Sequence, residues 1–199
     1  MTIQEIYRQN GVSPEVYAFG EKALNELKPR FAAIDEMAEL SFYESKNVLL
    51  LDAHVHPNIL CSHMVDAMAS RCKPGVKMTY TSQVADGKTI KSNMDGLQHL
   101  LGHLLENAVR YTEKGQITLT CEEIDNKIRF SVTDTGCGIP ADKQNDIFET
   151  FTTLSDKKQL NGMGLTICQT ILHHLGGQLQ FDKSYTDGAR FYFDLPVEV

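Results

Sequence analysis

Asp134-Thr-Gly-Cys-Gly-Ile-Pro140 places one carboxylate directly ahead of two glycines, at the end of a run with β-strand patterning. Residues 129–134 alternate polar and apolar side chains, which predicts a half-buried strand with Asp134 at its end. Gly136 and Gly138 let the backbone turn sharply or lie against a ligand, because neither carries a Cβ atom. Alone, the loop could equally be a tight turn, so its meaning depends on the neighbouring segments.

The composition is that of an ordinary folded chain of 199 residues, with 42% hydrophobic and 23% charged side chains. Such a length suits one large α/β domain, or a domain of about 150 residues with an additional segment. The net charge of −7 argues against nucleic acid as the main partner. Five scattered cysteines without a C-x-x-C spacing predict neither a disulfide framework nor a zinc site, and favour a reducing compartment.

No apolar run reaches the roughly 20 residues of a membrane span, and the N-terminus shows no basic-then-apolar pattern of a signal peptide. We therefore expect a cytoplasmic protein, connected to a membrane only through missing segments of a longer parent.

Residues 1–46 are predicted to form a helical segment, with an N-cap at Ser13 and a proline after it. Pro29 either divides this segment into two helices or kinks one helix. The apolar residues recur at helical spacing and need a partner, which is either the following domain or a second chain in a homodimer. Residues 47–199 are predicted to form the second unit.

Short strands and helices are predicted from residue 48 onward. The strands are 48–51, 76–81, 89–92, 117–121, 127–132, 178–181 and 189–195, and the helices are 57–72, 95–111 and 162–175. Turn signals at Asp86-Gly87 and Asp125-Asn126 predict two hairpins, one joining 76–81 to 89–92 and one joining 117–121 to 127–132. The polar residues 141–161 lack a period and predict a long functional loop.

The helix predicted for residues 95–111 carries His99, His103, Asn107 and Arg110 on the face opposite its leucines. An asparagine oxygen can complete the shell of a Mg²⁺ ion bound to phosphate, and an arginine one turn later can reach the same phosphate. A solvated polar stripe is the alternative interpretation.

Gly162-Met-Gly-Leu165 opens the next predicted helix. Glycines at a helix N-terminus expose backbone N–H groups, which together with the helix dipole can bind an anion. Lys157 and Lys158, just upstream, could add positive charge for a triphosphate. The alternative is a loop that simply leads into a helix, with ordinary solvated lysines.

Four segments resemble, in order, the motifs of the GHKL ATP-binding superfamily. They are the asparagine box Leu104-Leu-Glu-Asn-Ala-Val-Arg-Tyr-Thr112, the first glycine box Asp134–Pro140, the phenylalanine box Ile147-Phe-Glu-Thr-Phe151 and the second glycine box Gly162–Leu165. Four ordered motifs across about 100 residues form a specific signal. The nearest resemblance is to the catalytic and ATP-binding domain of bacterial sensor histidine kinases. It implies a two-layer α/β sandwich with a mixed sheet and three main helices, preceded here by the N-terminal helical segment.

The resemblance implies ATP and Mg²⁺ as ligands. Asp134 would accept a hydrogen bond from the adenine amino group, and Asn107 would bind Mg²⁺. Residues 141–161 would form a lid over the nucleotide, held at its start by Phe148 and Phe151. The implied nucleotide-binding residues are Asn107, Arg110, Tyr111, Asp134, Gly136, Gly138, Ile139, Lys158, Gly162, Met163, Gly164 and Leu165.

The chain also departs from the family pattern. His103 stands where histidine kinases carry an asparagine and related ATPases a general base; it could bind metal, handle a proton or be a surface histidine. Asn161 replaces a frequent glycine. The pair His54-Val-His56 could bind metal, although a loop is the simpler interpretation.

None of the seven histidines lies in an H-E-x-x-T-P-like box, although residues 34–45 resemble the second dimerisation helix and its linker. We therefore expect the γ-phosphoryl group to go to a histidine outside the visible motifs. We do not expect this chain to phosphorylate itself when it is alone. The implied partners are a phosphoacceptor histidine domain and the receiver domain of a response regulator. The alternatives are a GHKL serine kinase or ATPase, and a non-catalytic nucleotide-sensing dimer module.

Overall fold

The computed structural model describes residues 11, 13–46, 48–148 and 162–197. These residues form four helices: α1 (Pro14–Ser45), α2 (Pro57–Ala69), α3 (Met94–Tyr111) and α4 (Gly164–His174). They also form seven strands: β1 (Ala53–Val55), β2 (Val76–Ser82), β3 (Ile90–Ser92), β4 (Gly115–Ile124), β5 (Lys127–Asp134), β6 (Gln180–Phe181) and β7 (Ala189–Pro196). Over the same ranges, no helix is long and apolar enough to cross a membrane.

Five strands form one mixed sheet in the order β2-β4-β5-β7-β6. β2 runs parallel to β4, with Met78 opposite Ile117, whereas the other neighbours are antiparallel. β7 therefore lies inside the sheet, although it is the strand nearest the C-terminus. β1 and β3 form a separate antiparallel pair, with Ala53 opposite Ser92.

The core lies between the sheet and a layer of helices. Alternation along β4, β5 and β7 turns their apolar side chains to one face, where Phe130 stacks on Phe193 with 5.0 Å between ring centres. The other side of the core is a leucine stripe on α3. The thiol of Cys168 on α4 lies 3.7 Å from the carbonyl oxygen of Leu100 on α3, where these helices meet. The predicted α/β sandwich with a mixed sheet is confirmed.

α1 is one helix that continues through Pro29, so a division into two helices at this residue is wrong. The predicted N-cap is confirmed, because Ser13 Oγ accepts the backbone N–H of Val16 at 3.3 Å. The middle of α1 remains exposed, as shown by Phe31 at 61% exposure, whereas Tyr43 near its end is 3% exposed. The C-terminal part of α1 therefore packs against α3 and α4, through Glu39 and Tyr43.

The strand predicted for residues 48–51 is wrong. Leu49 is buried, but Val48 and Leu50 are 70% and 72% exposed, and the first strand begins at Ala53. Apolar composition alone does not make a strand where no neighbouring strand pairs with it. His54, for which we favoured a loop, lies in β1 instead.

The hairpin predicted between residues 76–81 and 89–92 is also wrong. The turn at Asp86-Gly87 is present, but the strands on its two sides belong to different sheets, β2 beside β4 and β3 beside β1. A turn signal reports local backbone geometry, whereas strand pairing is decided by contacts that are distant in sequence.

The hairpin across Asp125-Asn126 is confirmed, because β4 pairs with β5 and both turn residues have positive φ, 48° and 61°. The strand predicted for 178–181 is shorter than expected and covers Gln180–Phe181. Residues 141–148 contain neither helix nor regular strand, as predicted for the start of the long loop. The rest of that loop lies outside the described residues.

Candidate functional site

An open cleft of about 960 Å³ lies between α3, the loop after β5 and the start of α4. The predicted site residues on its wall are Asn107, Arg110, Tyr111, Asp134, Gly138, Ile139, Gly162, Gly164 and Leu165, together with His103. The structure thus brings three distant motifs around one cleft.

Asp134 forms one end of the cleft. Its side chain is at the end of β5, 5% exposed, and its Oδ1 atom accepts the backbone N–H groups of Gly136 at 2.8 Å and Ala189 at 3.4 Å. Among the described residues these are its hydrogen-bond donors, so Oδ2 is left for a ligand. Burial raises the pKa of Asp134, and the two backbone hydrogen bonds only partly oppose this.

Gly136 and Gly138 shape the loop behind this carboxylate. A Cβ atom at Gly136 would overlap the carbonyl oxygen of Tyr111, so only glycine fits there. The next residue, Cys137, donates its backbone N–H to the same carbonyl at 3.3 Å. Gly138 has a φ of 66°, in the left-handed region. Gly136 is not on the cleft wall; it holds the loop against the end of α3.

α3 supplies one long side of the cleft. Asn93 caps the helix by accepting the N–H of Gly96 at 2.8 Å, and the buried leucine stripe fixes its rotation against the sheet. His103, Asn107 and Arg110 consequently face the cleft. The solvated-stripe interpretation therefore does not apply to these three residues.

Tyr111 completes this side of the cleft. Burial raises the pKa of its hydroxyl, and the charge of Arg110 opposes the shift.

The N-terminus of α4 faces the middle of α3. A Cβ atom at Gly164 would lie 3.7 Å from His103 Nδ1 and 3.8 Å from Asn107 Nδ2, so both side chains point to the first turn of α4. The first N–H groups of a helix lack partners within the helix and carry partial positive charge. Met163, which we predicted to bind nucleotide, is 2% exposed and belongs to the core, and it does not lie on the cleft wall.

Six apolar residues that were not among the predicted site residues cover much of the rest of the wall. They are Leu104, Ala108, Val132, Ile147, Ala189 and Phe191. Phe148, predicted to hold the start of the lid, packs edge-on against Phe191 with 6.4 Å between ring centres. Phe151, Lys157, Lys158 and Asn161 lie outside the described residues.

Two acidic residues of α1, Glu36 and Glu39, were missed by the sequence analysis. Glu36 is on the cleft wall. Glu39 Oε1 lies 2.7 Å from His99 Nδ1, and its Oε2 lies 2.9 Å from His103 Nε2. The side chain of His103 is 15% exposed and its Nε2 atom has Glu39 as a partner, so it is a partly buried histidine with a hydrogen bond. The signal available in the sequence was limited to two histidines one turn apart on α3, which one acidic side chain can contact together.

The contact between Glu39 and His103 shifts the pKa of both side chains. Burial alone would raise the pKa of Glu39, but the hydrogen bonds and charges of His103 and His99 lower it overall. Burial alone would lower the pKa of His103, but the hydrogen bond and charge of Glu39, with the charges of Glu106 and Glu36, raise it overall. These directions describe a carboxylate paired with charged imidazole.

Among the described residues, the possible metal pair His54 and His56 has no third histidine, cysteine, aspartate or glutamate side chain with which to form a metal site. In the described ranges, no group of three or more histidine, cysteine, aspartate or glutamate side chains could hold a metal ion. A metal bound in the cleft would depend on ligand oxygens as well as Asn107.

Several known proteins are similar to this chain in sequence and fold. A family model described as "Histidine kinase-, DNA gyrase B-, and HSP90-like ATPase" matches residues 92–199. The sensory/regulatory protein RpfC of Xanthomonas campestris pv. campestris is 31% identical over 137 residues, which are 63% of this chain and 19% of RpfC. The adaptive-response sensory kinase SasA of Nostoc sp. is 30% identical over 154 residues, 75% of this chain and 38% of SasA. The chain thus spans well under half of either relative.

The structure of full-length ShkA in complex with AMPPNP superposes with a TM-score of 0.80 at 26% identity, over 94% of this chain and 40% of ShkA. This match extends the likeness beyond residues 92–199 to the N-terminal helix. The family match itself covers more than half of the chain and includes every motif quoted above. This chain therefore belongs to the family of histidine kinase-, DNA gyrase B- and HSP90-like ATPases, and its relatives are sensor kinases.

Proposed function

We propose that this chain carries the Mg-ATP-binding catalytic domain of a sensor histidine kinase. The observation that carries the proposal is one cleft with a buried carboxylate at one end and a helix N-terminus facing an asparagine at the other. ATP has the matching polarity, with an amino group on the base and negative charge on the phosphates. The related ShkA structure is a complex with AMPPNP, which supports the same ligand class.

At the base end, Oδ2 of Asp134 accepts a hydrogen bond from the adenine amino group. Guanine carries a carbonyl oxygen at that position, which a carboxylate repels. Ile139 and Phe191 give the base an apolar slot, since both are on the cleft wall. This arrangement selects adenine.

At the phosphate end, the N–H groups that begin α4 and the guanidinium of Arg110 bind phosphate oxygens. The Asn107 carboxamide is placed to complete a Mg²⁺ shell of waters and phosphate oxygens, which is the coordination that Mg²⁺ prefers. The ion neutralises phosphate charge when bound.

The reaction is transfer of the γ-phosphoryl group to a histidine outside the visible motifs. Phosphoryl transfer requires little covalent chemistry of the protein, so the cleft acts by positioning the nucleotide and stabilising charge. We place the catalytic domain in residues 47–199 and a link to a dimerisation domain in residues 1–46. The partners are a phosphoacceptor histidine domain and a response regulator receiver domain, in the cytoplasm.

Incubation with ATP labelled on its γ-phosphate tests this function. The chain is incubated alone and with a dimerisation-helix polypeptide that carries an acceptor histidine, and the products are then treated with acid. We expect label on the added polypeptide that is lost in acid, because phosphohistidine is acid-labile. Acid-stable label would indicate a serine kinase, and nucleotide binding without transfer in any pairing would indicate a sensing module. Asn107→Ala serves as the inactive control.

A further inference from the structure

Glu39 connects α1 to the polar face of α3. Its two carboxylate oxygens contact two histidines one turn apart, His99 at 2.7 Å and His103 at 2.9 Å. The contact joins residues that are 60 and 64 positions apart in the sequence. A carboxylate that contacts two side chains at once fixes both the position of α1 and the orientation of the imidazole rings.

The orientation matters most for His103. Its Nε2 atom is occupied by Glu39, so Nδ1 is the ring nitrogen that faces the cleft. Nδ1 lies on the same side as the Asn107 amide, and both are within 4 Å of the position where a Cβ of Gly164 would be. The ring therefore adds a polar atom at the end of the cleft where the phosphates are placed.

We propose that Glu39 is a positioning residue for the nucleotide: it holds His103 so that Nδ1 contacts the phosphate end of ATP, and α1 thereby completes the nucleotide site. This inference rests on the proposed function. In metal sites, a carboxylate behind a histidine orients the ring in the same way, and its loss weakens ligand binding.

The charges around the cleft give Glu39 a second effect. Glu36 and Glu106 are also on the cleft wall, and Glu106 forms an ion pair with Arg71. Glu39 adds a further carboxylate beside the cleft, and both of its oxygens are engaged by histidines. The contact thus brings α1 against the cleft while its own charge is compensated.

The test compares binding of Mg-ATP and of adenosine to the whole chain by calorimetry. Glu39→Gln keeps the side chain's size but loses one acceptor and the charge. We expect it to weaken Mg-ATP binding about tenfold, the lower end of the effect of losing a carboxylate behind a ligating histidine. Adenosine has no phosphate, so its affinity should not change. His99→Gln is the matched control: this histidine shares the Glu39 contact but is not on the cleft wall, and ATP affinity should persist.

His103→Ala tests the ring itself, because alanine keeps the helix but has no side-chain nitrogen that could contact phosphate. It should weaken Mg-ATP binding as Glu39→Gln does, and the double variant should be no weaker than either single variant, since both remove the same contact. Equal losses for ATP and adenosine, an unchanged ATP affinity, or tighter ATP binding in Glu39→Gln would each overturn the inference while leaving the proposed function intact. Absence of Mg-ATP binding in the unmodified chain would instead overturn the proposed function.

Discussion

Asp134→Asn should separate nucleotide selectivity from folding. The asparagine carbonyl can replace Oδ1 as the acceptor for Gly136 and Ala189, so the loop and β7 keep their hydrogen bonds. The amide NH₂ group then occupies the position of Oδ2 and presents donors to the cleft. The hydrogen-bonding character at the base end is reversed without a change in side-chain shape.

The size of the effect follows from this geometry. A donor placed against the adenine amino group loses one hydrogen bond and leaves a buried polar group unsatisfied, which costs about 1–3 kcal/mol. Since 1.4 kcal/mol corresponds to a factor of ten, ATP binding should weaken by roughly 5- to 150-fold. Inosine triphosphate carries a carbonyl where ATP carries the amino group, so its binding should improve.

ATP affinity should fall in Asp134→Asn, but the stability of the unliganded variant should not. The folded pKa of Asp134 is raised above its ordinary value of 3.8. Its ionisation therefore destabilises the fold as pH rises from this ordinary value through the raised folded pKa. Asparagine removes it, so the melting temperature should stay level or rise.

Thermal shift and calorimetry with Mg-ATP and Mg-ITP measure both effects. Asp187→Asn is the control, because it makes the same chemical change on an exposed residue just before β7, off the cleft wall. A folded Asp134→Asn protein with normal ATP affinity and no gain for inosine triphosphate would refute the role given to this carboxylate.

Three further predictions concern the cation, the turn before β7 and pH. Asn107→Ala should abolish the difference in ATP affinity between Mg²⁺ and EDTA buffers, as measured by calorimetry; a retained difference would place the cation elsewhere. Gly188→Ala should destabilise the fold by about 1–3 kcal/mol in urea unfolding, because its Cβ would overlap the Asp134 carbonyl oxygen. Gly20→Ala, in exposed α1 with open space around it, should stabilise by about 0.5–1 kcal/mol, and equal effects at both glycines would contradict this. The stability difference between the unmodified chain and Glu39→Gln should be largest between pH 4.5 and 6.5, the ordinary pKa values of the two partners. It should decline at higher pH as His103 loses its proton above its raised pKa, and at lower pH as Glu39 is protonated below its lowered pKa; a pH-independent difference would contradict the pairing.

The parts of the fold that could be predicted are those that depend on residues close together in the sequence. α3 follows from leucines at helical spacing and a capping Asn93, and the β4–β5 hairpin follows from two turn residues that tolerate positive φ. The motifs also located the cleft, because each combines a glycine with a polar side chain at the end of an element. The resemblance to an ATP-binding family rested on four motifs in a given order, and no single motif would have indicated it.

The errors and omissions share a physical cause, since each depends on contacts between distant residues. Residues 48–51 are apolar enough for a strand but have no strand beside them. The turn at Asp86-Gly87 was identified correctly, yet β2 pairs in parallel with β4 across more than thirty residues. The contact of Glu39 with His103 joins two helices whose relative placement no local pattern specifies. Such pairings become visible only once the core has fixed the elements in space.

The placement of β7 inside the sheet has a consequence during synthesis of the protein. Asp134 needs the N–H of Ala189, and the loop that follows Asp134 packs on Gly188, so the base end of the cleft depends on a segment that is made 55 residues after this carboxylate. A nascent chain that still has these residues within the ribosome holds the α3 and β5 motifs but no complete cleft. On the proposed function, nucleotide can therefore assist folding only once β7 has joined the sheet.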